Sequence, residues 1–239
     1  MLDDSVLADF VNGFYGYGSY QAPFWFVGME EGGGNTITDI ARRLEAWNTR
    51  GRKELEDVAG FHRAICLGHL FDDHPKLQPT WNKLIRIVLT AGGQTCDTER
   101  IRAYQKTSLG KIGGDTCLLE LLPLPSPNTN TWLYRGNSSI PYLADRDAYR
   151  DQVTPLRVAH LKDRLARYQP KAVVFYGLHY QAYWEQIVGA LNWVSTLQGV
   201  AYQLRNQTLY IQAKHPAAKG VTNEYFHQIG QLIAAKTMI

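Results

Sequence analysis

Short apolar runs that end in glycine or in a polar turn alternate along this chain with segments of helical periodicity. Three of the apolar runs, at residues 23–27, 116–124 and 171–176, have the length of a strand. An unbroken apolar run of this length is typical of a strand that is buried on both faces, as in a parallel sheet. Two further runs, at residues 200–204 and 208–213, predict a tight hairpin or an edge strand followed by a central one.

Apolar residues at helical spacing predict the helices between these strands. A threonine, Thr36 or Thr38, is expected to cap the second helix, and Pro79 to begin the fourth, which Gly92-Gly93 ends. Pro155 is expected to divide or kink a long helix near the middle of the chain. The predicted helices lie at residues 4–11, from 36 or 38 to 47, and at 54–67, 79–91, 145–168, 180–188 and 223–238.

Strands that alternate with helices predict an α/β fold with a mostly parallel sheet covered by helices on both faces. No linker, repeat or charge block divides the chain, so a single domain over residues 1–239 is expected. Residues 1–20 contain an aromatic and glycine-rich stretch and are interpreted as a flexible amino-terminal extension or a packed turn. In such folds the functional residues gather at the carboxyl ends of the strands.

Composition narrows the class of protein. Hydrophobic residues make up 45% and charged residues 20% of the chain, which is ordinary for a globular domain. A net charge of +3 gives weak support for a nucleic-acid partner. The three cysteines form no CxxC pair, so neither a disulfide framework nor a cysteine zinc site is indicated. No apolar run has the ~20 residues of a membrane helix, and a cytoplasmic protein without a membrane partner is expected.

Two strand ends carry the candidate chemistry. Residues 27–34 read VGMEEGGG and place Glu30 and Glu31 between glycines, where the backbone can approach a ligand closely. This pattern suits a centre at which positive charge develops or a water is oriented, and it also fits a plain acidic turn. Residues 211–220 read IQAKHPAAKG and fix His215 against a proline. A histidine-proline pair alone is more often structural, but the flanking lysines favour a loop that faces an anion.

Together, these motifs resemble those of the uracil-DNA-glycosylase superfamily. Glu30 stands two residues after Gly28, where family members carry an aspartate or asparagine, and His215-Pro216 matches the start of the family's His-Pro-Ser loop. Residues 118–123 resemble the strand whose asparagine reads the base, and residues 175–181 the loop that grips phosphate. The similarity runs in the same order over roughly residues 22–235, including the segment 78–84.

The resemblance implies a three-layer sandwich with a central, mostly parallel four-stranded sheet. It also implies a DNA glycosylase that works as a monomer on a flipped-out base, without a cofactor or a metal. Glu30 would stabilise an oxocarbenium-like sugar and orient water, with Glu31 as the alternative carboxylate, and His215 would stabilise the departing base. Expected substrate-binding residues are Gly28, Met29, Gly32, Glu120 and Trp25, although Trp25 also fits core packing. Expected DNA-binding residues are Gly177, Leu178, Lys214, Lys219 and Val221.

Departures from the family pattern bear on the substrate. Glu120 stands where the family has an amide, and an ionised carboxylate there would accept a hydrogen bond from a cytosine-like amino group and disfavour uracil. Lys219 replaces the family's apolar wedge, and Val221 is the nearest apolar residue. These departures favour a modified base, such as the hypermodified cytosine of phage DNA, in a role in repair or antiphage defence. The alternatives are a non-catalytic nucleic-acid-binding module on this fold and a nucleotide-handling Rossmann-like enzyme.

Overall fold

The computed structural model describes residues 1–196 and 199–237, which form one mixed eight-stranded sheet and eight α-helices. The strand order is β3-β1-β4-β2-β5-β8-β7-β6. The strands are β1 (Gly16–Gly18), β2 (Phe24–Gly32), β3 (Leu55–Glu56), β4 (Thr116–Ser126), β5 (Ala172–Tyr176), β6 (Val194–Ser195), β7 (Ala201–Arg205) and β8 (Thr208–Ala213). The α/β class predicted from the sequence is confirmed.

The four central strands, β4-β2-β5-β8, all run parallel. Their residues are apolar on both faces, as in the buried run Trp25, Phe26 and Val27 of β2, because helices cover both sides of a parallel sheet. The expectation of a four-stranded sheet describes this centre only. It is wrong for the whole sheet, which gains β1 antiparallel to β4, β3 parallel to β1 at that edge, and the antiparallel strands β7 and β6 beyond β8.

Eight α-helices surround this sheet. They are α1 (Asp4–Gly13), α2 (Ile37–Thr49), α3 (Val58–Ala64), α4 (Pro79–Ala91), α5 (Thr98–Thr107), α6 (Arg146–Tyr168), α7 (Gln181–Val188) and α8 (Asn223–Thr237). Helices α1 and α6 contact β4 and each other, whereas α4 packs against α5 and α8, and α8 contacts β8. None of the helices in the described ranges is long and apolar enough to cross a membrane.

Residues 1–20 are part of the folded domain, so the interpretation of a flexible extension is wrong. Leu7, Phe10 and Phe14 are buried in the core. Gly16 pairs with β4 at a φ of +140°, and a Cβ there would lie 2.0 Å from the carbonyl oxygen of Leu118. Because only glycine lacks that atom, the strand β1 can approach β4 this closely.

Other local predictions had mixed outcomes. Thr36 caps α2 through a capping box with Asp39, and α4 begins at Pro79 as expected. The predicted helix at 54–67 is a two-residue strand followed by the shorter helix α3, and a 3-10 turn comes after it at Gly68–Phe71. The sequence did not indicate α5. The predicted end of the last helix, Met238, lies outside the described residues.

Strand β4 continues through Pro123 and Pro125 and ends at Ser126, two residues beyond the apolar run predicted from the sequence. Its pairing with β2 shifts register there, so that Glu30 lies opposite Leu122 but Gly32 lies opposite Ser126. A register shift accommodates prolines because they cannot donate to the ladder. The shift brings the loop after β4 alongside the end of β2.

Candidate active site

A cavity of about 590 Å³ opens at the carboxyl ends of the central parallel strands. Residues from the ends of β2 and β4, from the end of β5 and from the loop after β8 line its walls. Six of the residues singled out from the sequence meet there although they are far apart in the chain: Met29, Glu30, Glu31, Gly32, Glu120 and His215.

Trp25 does not belong to this cavity. Its side chain is fully buried and donates its indole N–H to the carbonyl oxygen of Ala22 at 2.9 Å. Trp25 therefore packs in the core, and the expectation that it contacts the substrate is not supported. Trp25 is the second residue of β2, four residues before the cavity begins at Met29, and is too far from the carboxyl end of the strand to reach the ligand.

The expected DNA-binding residues occupy two loops outside the cavity lining. Gly177 is buried at a φ of +106°, where it turns the chain after β5, and Leu178 follows it. Lys214 and Lys219 are exposed on the loop after β8, as a contact to DNA phosphate requires. Val221 packs partly buried against the core, so its role as an exposed wedge is not supported.

Gly28 lies below the cavity and lets two polar side chains meet above it. Glu120 lies opposite Gly28 in the sheet register and accepts a hydrogen bond from the hydroxyl of Tyr176 at 3.0 Å. A Cβ at position 28 would lie 2.3 Å from that hydroxyl and 2.4 Å from Glu120 Oε2. Gly28 is therefore a packing requirement of the Glu120–Tyr176 pair.

The carboxyl group of Glu120 is neutral at pH 7. Burial, followed by the nearby charge of Glu31, raises its pKa to about 8, although the hydrogen bond from Tyr176 opposes the shift. Its Oε2 atom is buried without a hydrogen-bond partner among the described residues. A neutral carboxyl group both donates and accepts, as an amide does. The expectation of an ionised Glu120 that disfavours uracil is therefore not supported.

Glu120 makes stability depend on pH, and we expect a Glu120→Gln variant to abolish that dependence. The pKa is about 8 in the folded chain against an ordinary 4.5, so the unfolded chain loses its proton first. The stabilising effect of the proton is complete below about pH 4.5 and is lost as pH rises towards 8, by at most about 1.4 kcal/mol per pH unit. Urea unfolding at several pH values from 5 to 9 measures how the free energy of unfolding of each variant depends on pH.

The matched control for this series is Glu45→Gln, at an exposed carboxylate on α2. The free energy of unfolding of this variant should depend on pH in the same way as that of the unmodified protein. If Glu120→Gln also follows that dependence between pH 5 and 8, Glu120 is ionised in the folded state and its assignment as a donor fails.

Glu30 is held by two arginines of α6. Its Oε2 accepts from Arg146 Nη1 at 2.8 Å, and its Oε1 lies 3.6 Å from Arg150 Nη2. Burial raises the pKa of Glu30, whereas both arginines oppose the shift and favour the ionised form. Arg146 also donates to the backbone carbonyls of Asn128 and Thr131, so it ties Glu30 to the loop after β4.

Glu31 belongs to a second polar cluster. Its Oε2 accepts from Tyr17 and from Arg43, each at 3.0 Å, and its Oε1 lies 3.7 Å from His62 Nε2. His62 is buried on α3, and burial lowers its pKa to about 4. The side chain of Glu31 is thus fixed through one oxygen while the other faces a neutral histidine.

His215 has a defined tautomer. The backbone N–H of Ala217 donates to its Nδ1 at 3.1 Å, so the ring proton of the neutral form lies on Nε2. Burial, assisted by the nearby His179, lowers the pKa of His215, which favours the neutral ring. Tyr176 packs edge-on against this ring with centroids 5.5 Å apart. His215 therefore lines the cavity with an uncharged ring whose Nε2 carries a proton to donate.

The sequence did not indicate several residues that shape this site. Tyr17 and Arg43 fix Glu31 and His62 faces its other oxygen, Tyr176 holds Glu120, and Arg146 holds Glu30. His62 follows Glu31 by 31 residues and belongs to no spacing motif, so only tertiary structure brings the two together.

No protein-family model matches the chain, and no curated protein matches its sequence. Within residues 1–196 and 199–237, no cluster of three or more histidine, cysteine, aspartate or glutamate side chains has a geometry that could hold a metal ion. The geometry of the cavity is therefore the basis for assigning a function.

Proposed function

We propose that this protein is a DNA glycosylase of the uracil-DNA-glycosylase type, which hydrolyses the N-glycosidic bond of a flipped-out base. The observation that carries the proposal is the meeting of Glu30 and His215 in one cavity, at the ends of the central parallel strands. The motif resemblance supports it because the same two positions carry the family's catalytic groups.

His215 is suited to stabilise the departing base. A base that leaves with the bonding electrons carries negative charge, and a neutral imidazole can donate its Nε2 proton in a hydrogen bond without transferring it. The hydrogen bond from Ala217 to Nδ1 fixes this arrangement before the reaction. A preorganised donor of this kind is worth about 3 kcal/mol in the transition state.

Glu30 is suited to stabilise the sugar cation and to orient the attacking water. Arg146 holds one of its oxygens, and the other makes no hydrogen bond to the described residues. The two arginines favour the ionised carboxylate, although burial has the larger effect and raises its pKa. Glu31 is the less suitable of the two, because its free oxygen faces His62.

The cavity suits a base larger than an unmodified pyrimidine. A volume of about 590 Å³ is in the range of sites that enclose drug-sized ligands. The apolar and aromatic wall includes Met29, Trp81 and Tyr180, against which a flat ring can pack. A hypermodified cytosine therefore remains the leading substrate, with a role in repair or in defence against phage DNA. Lys214 and Lys219 would contact the DNA backbone.

A screen of DNA substrates tests this function. Purified protein should leave alkali-sensitive abasic sites in at least one duplex or single strand from a panel that carries uracil, modified uracils and modified cytosines. The Glu30→Gln variant should lose that activity while it remains folded, which circular dichroism checks. A panel without any abasic product, or full activity of Glu30→Gln, would contradict the proposal.

A further inference from the structure

Two hydrogen-bond acceptors face each other on one wall of the cavity. They are Glu31 Oε1 and His62 Nε2, 3.7 Å apart, and both side chains line the cavity. None of the described side chains donates a hydrogen bond to either atom. The hydrogen bonds of Glu31 from Tyr17 and Arg43 both end on the other oxygen, Oε2.

The backbone fixes His62 as an acceptor. Its Nδ1 lies 2.8 Å from the carbonyl oxygen of Val58, which can only accept, so Nδ1 carries the ring proton. With a pKa of about 4, the ring is neutral at pH 7 and Nε2 presents a lone pair. His62 is 3% exposed and packs edge-on against Trp81 with ring centroids 5.1 Å apart, so it cannot turn away easily.

We propose that the Glu31–His62 pair binds an amino group on the ligand, so that the site selects bases with an exocyclic amino group over their keto counterparts. This inference rests on the proposed function only in taking the ligand to be a nucleobase. It assigns Glu31 to recognition and leaves Glu30 as the catalytic carboxylate.

The geometry explains why an amino group fits and a keto oxygen does not. A separation of 3.7 Å is less than twice a hydrogen-bond length of roughly 2.9 Å, so one nitrogen can donate to both atoms at once. A keto oxygen in that position would face two acceptors, one of them charged, and would leave both without partners.

Nucleoside binding tests the inference without requiring bond cleavage. Calorimetric titration of the full-length protein should give a dissociation constant about tenfold lower for cytidine than for uridine, and for adenosine than for inosine. Equal affinities, tighter keto binding, or no binding of the amino nucleosides at millimolar concentration would overturn it.

Variants at the pair sharpen the test. In Glu31→Gln the amide can donate to His62 Nε2, and in His62→Phe the ring packing is kept without the acceptor. Both should bring the ratio of amino to keto affinity close to one. His74→Ala, at an exposed histidine outside the cavity lining, should keep the ratio of the unmodified protein. A ratio that survives in both Glu31→Gln and His62→Phe would overturn the assignment.

The two proposals fail separately. If the screen finds no abasic sites but the amino preference holds, the recognition site stands and the glycosylase function fails. If abasic sites form equally in DNA with amino and keto bases, the glycosylase function stands and the recognition site fails.

Discussion

A His215→Ala variant should cleave the substrate identified by the screen about a hundredfold more slowly than the unmodified protein. The loss is expected because Nε2 of His215 is the neutral donor that lines the cavity, with its tautomer fixed by the backbone of Ala217. Single-turnover rates measure the effect on the bond-breaking step without interference from product release.

His74→Ala is the control for this rate comparison, since His74 is an exposed histidine outside the cavity lining. It should slow the reaction by much less. His215→Gln should recover part of the rate because its amide N–H can still donate. Cleavage by His215→Ala at nearly the unmodified rate would remove His215 from the reaction.

Gly28→Ala should destabilise the fold by about 1–3 kcal/mol, because the new methyl group overpacks the region under the cavity. The methyl carbon would overlap both the Tyr176 hydroxyl and Glu120 Oε2. Tyr176 is buried and its ring cannot withdraw, so the hydrogen bond between these side chains must break. Urea unfolding at pH 7 measures the loss of stability.

The second glycine of the same motif provides the control. Gly32→Ala places its methyl group in open space at an exposed position at the end of β2, and its stability should change by less than about 0.5 kcal/mol. If both substitutions changed the free energy of unfolding equally, the close contact above Gly28 would not be the reason that position 28 requires a glycine.

The sequence predicted those parts of the fold that local patterns determine. The apolar runs of the four central strands are buried on both faces whichever strands they pair with, so the hydrophobic pattern was sufficient to locate these strands. The turn at Asn206-Gln207 also followed, and both residues adopt positive φ between the antiparallel strands β7 and β8. Strand β1 could not be predicted, because three residues with two glycines become a strand only through pairing with β4. Helix α5 buries little more than Ile101 and Gln105, which leaves a weak pattern.

The site was predictable to the extent that its residues stand at strand ends. Glu30, Glu31 and His215 could be located in this way because carboxyl ends of parallel strands meet at one edge. Their protonation states and hydrogen-bond partners could not be predicted, because these depend on burial and on residues that are distant in the chain. Glu120 shows the difference: its position on the cavity was expected, but its neutral state follows from burial and the nearby Glu31.

Arg146 makes the charge of Glu30 and the order of the loop at residues 126–131 interdependent. One guanidinium group binds the carboxylate through Nη1 and two loop carbonyls through Nη2. Thermodynamic linkage then works in both directions. Protonation of Glu30, or a ligand that draws it away, weakens the anchor of the loop, and an ordered loop favours the ionised carboxylate. The protonation of Glu30 and the order of this loop are therefore thermodynamically linked through Arg146.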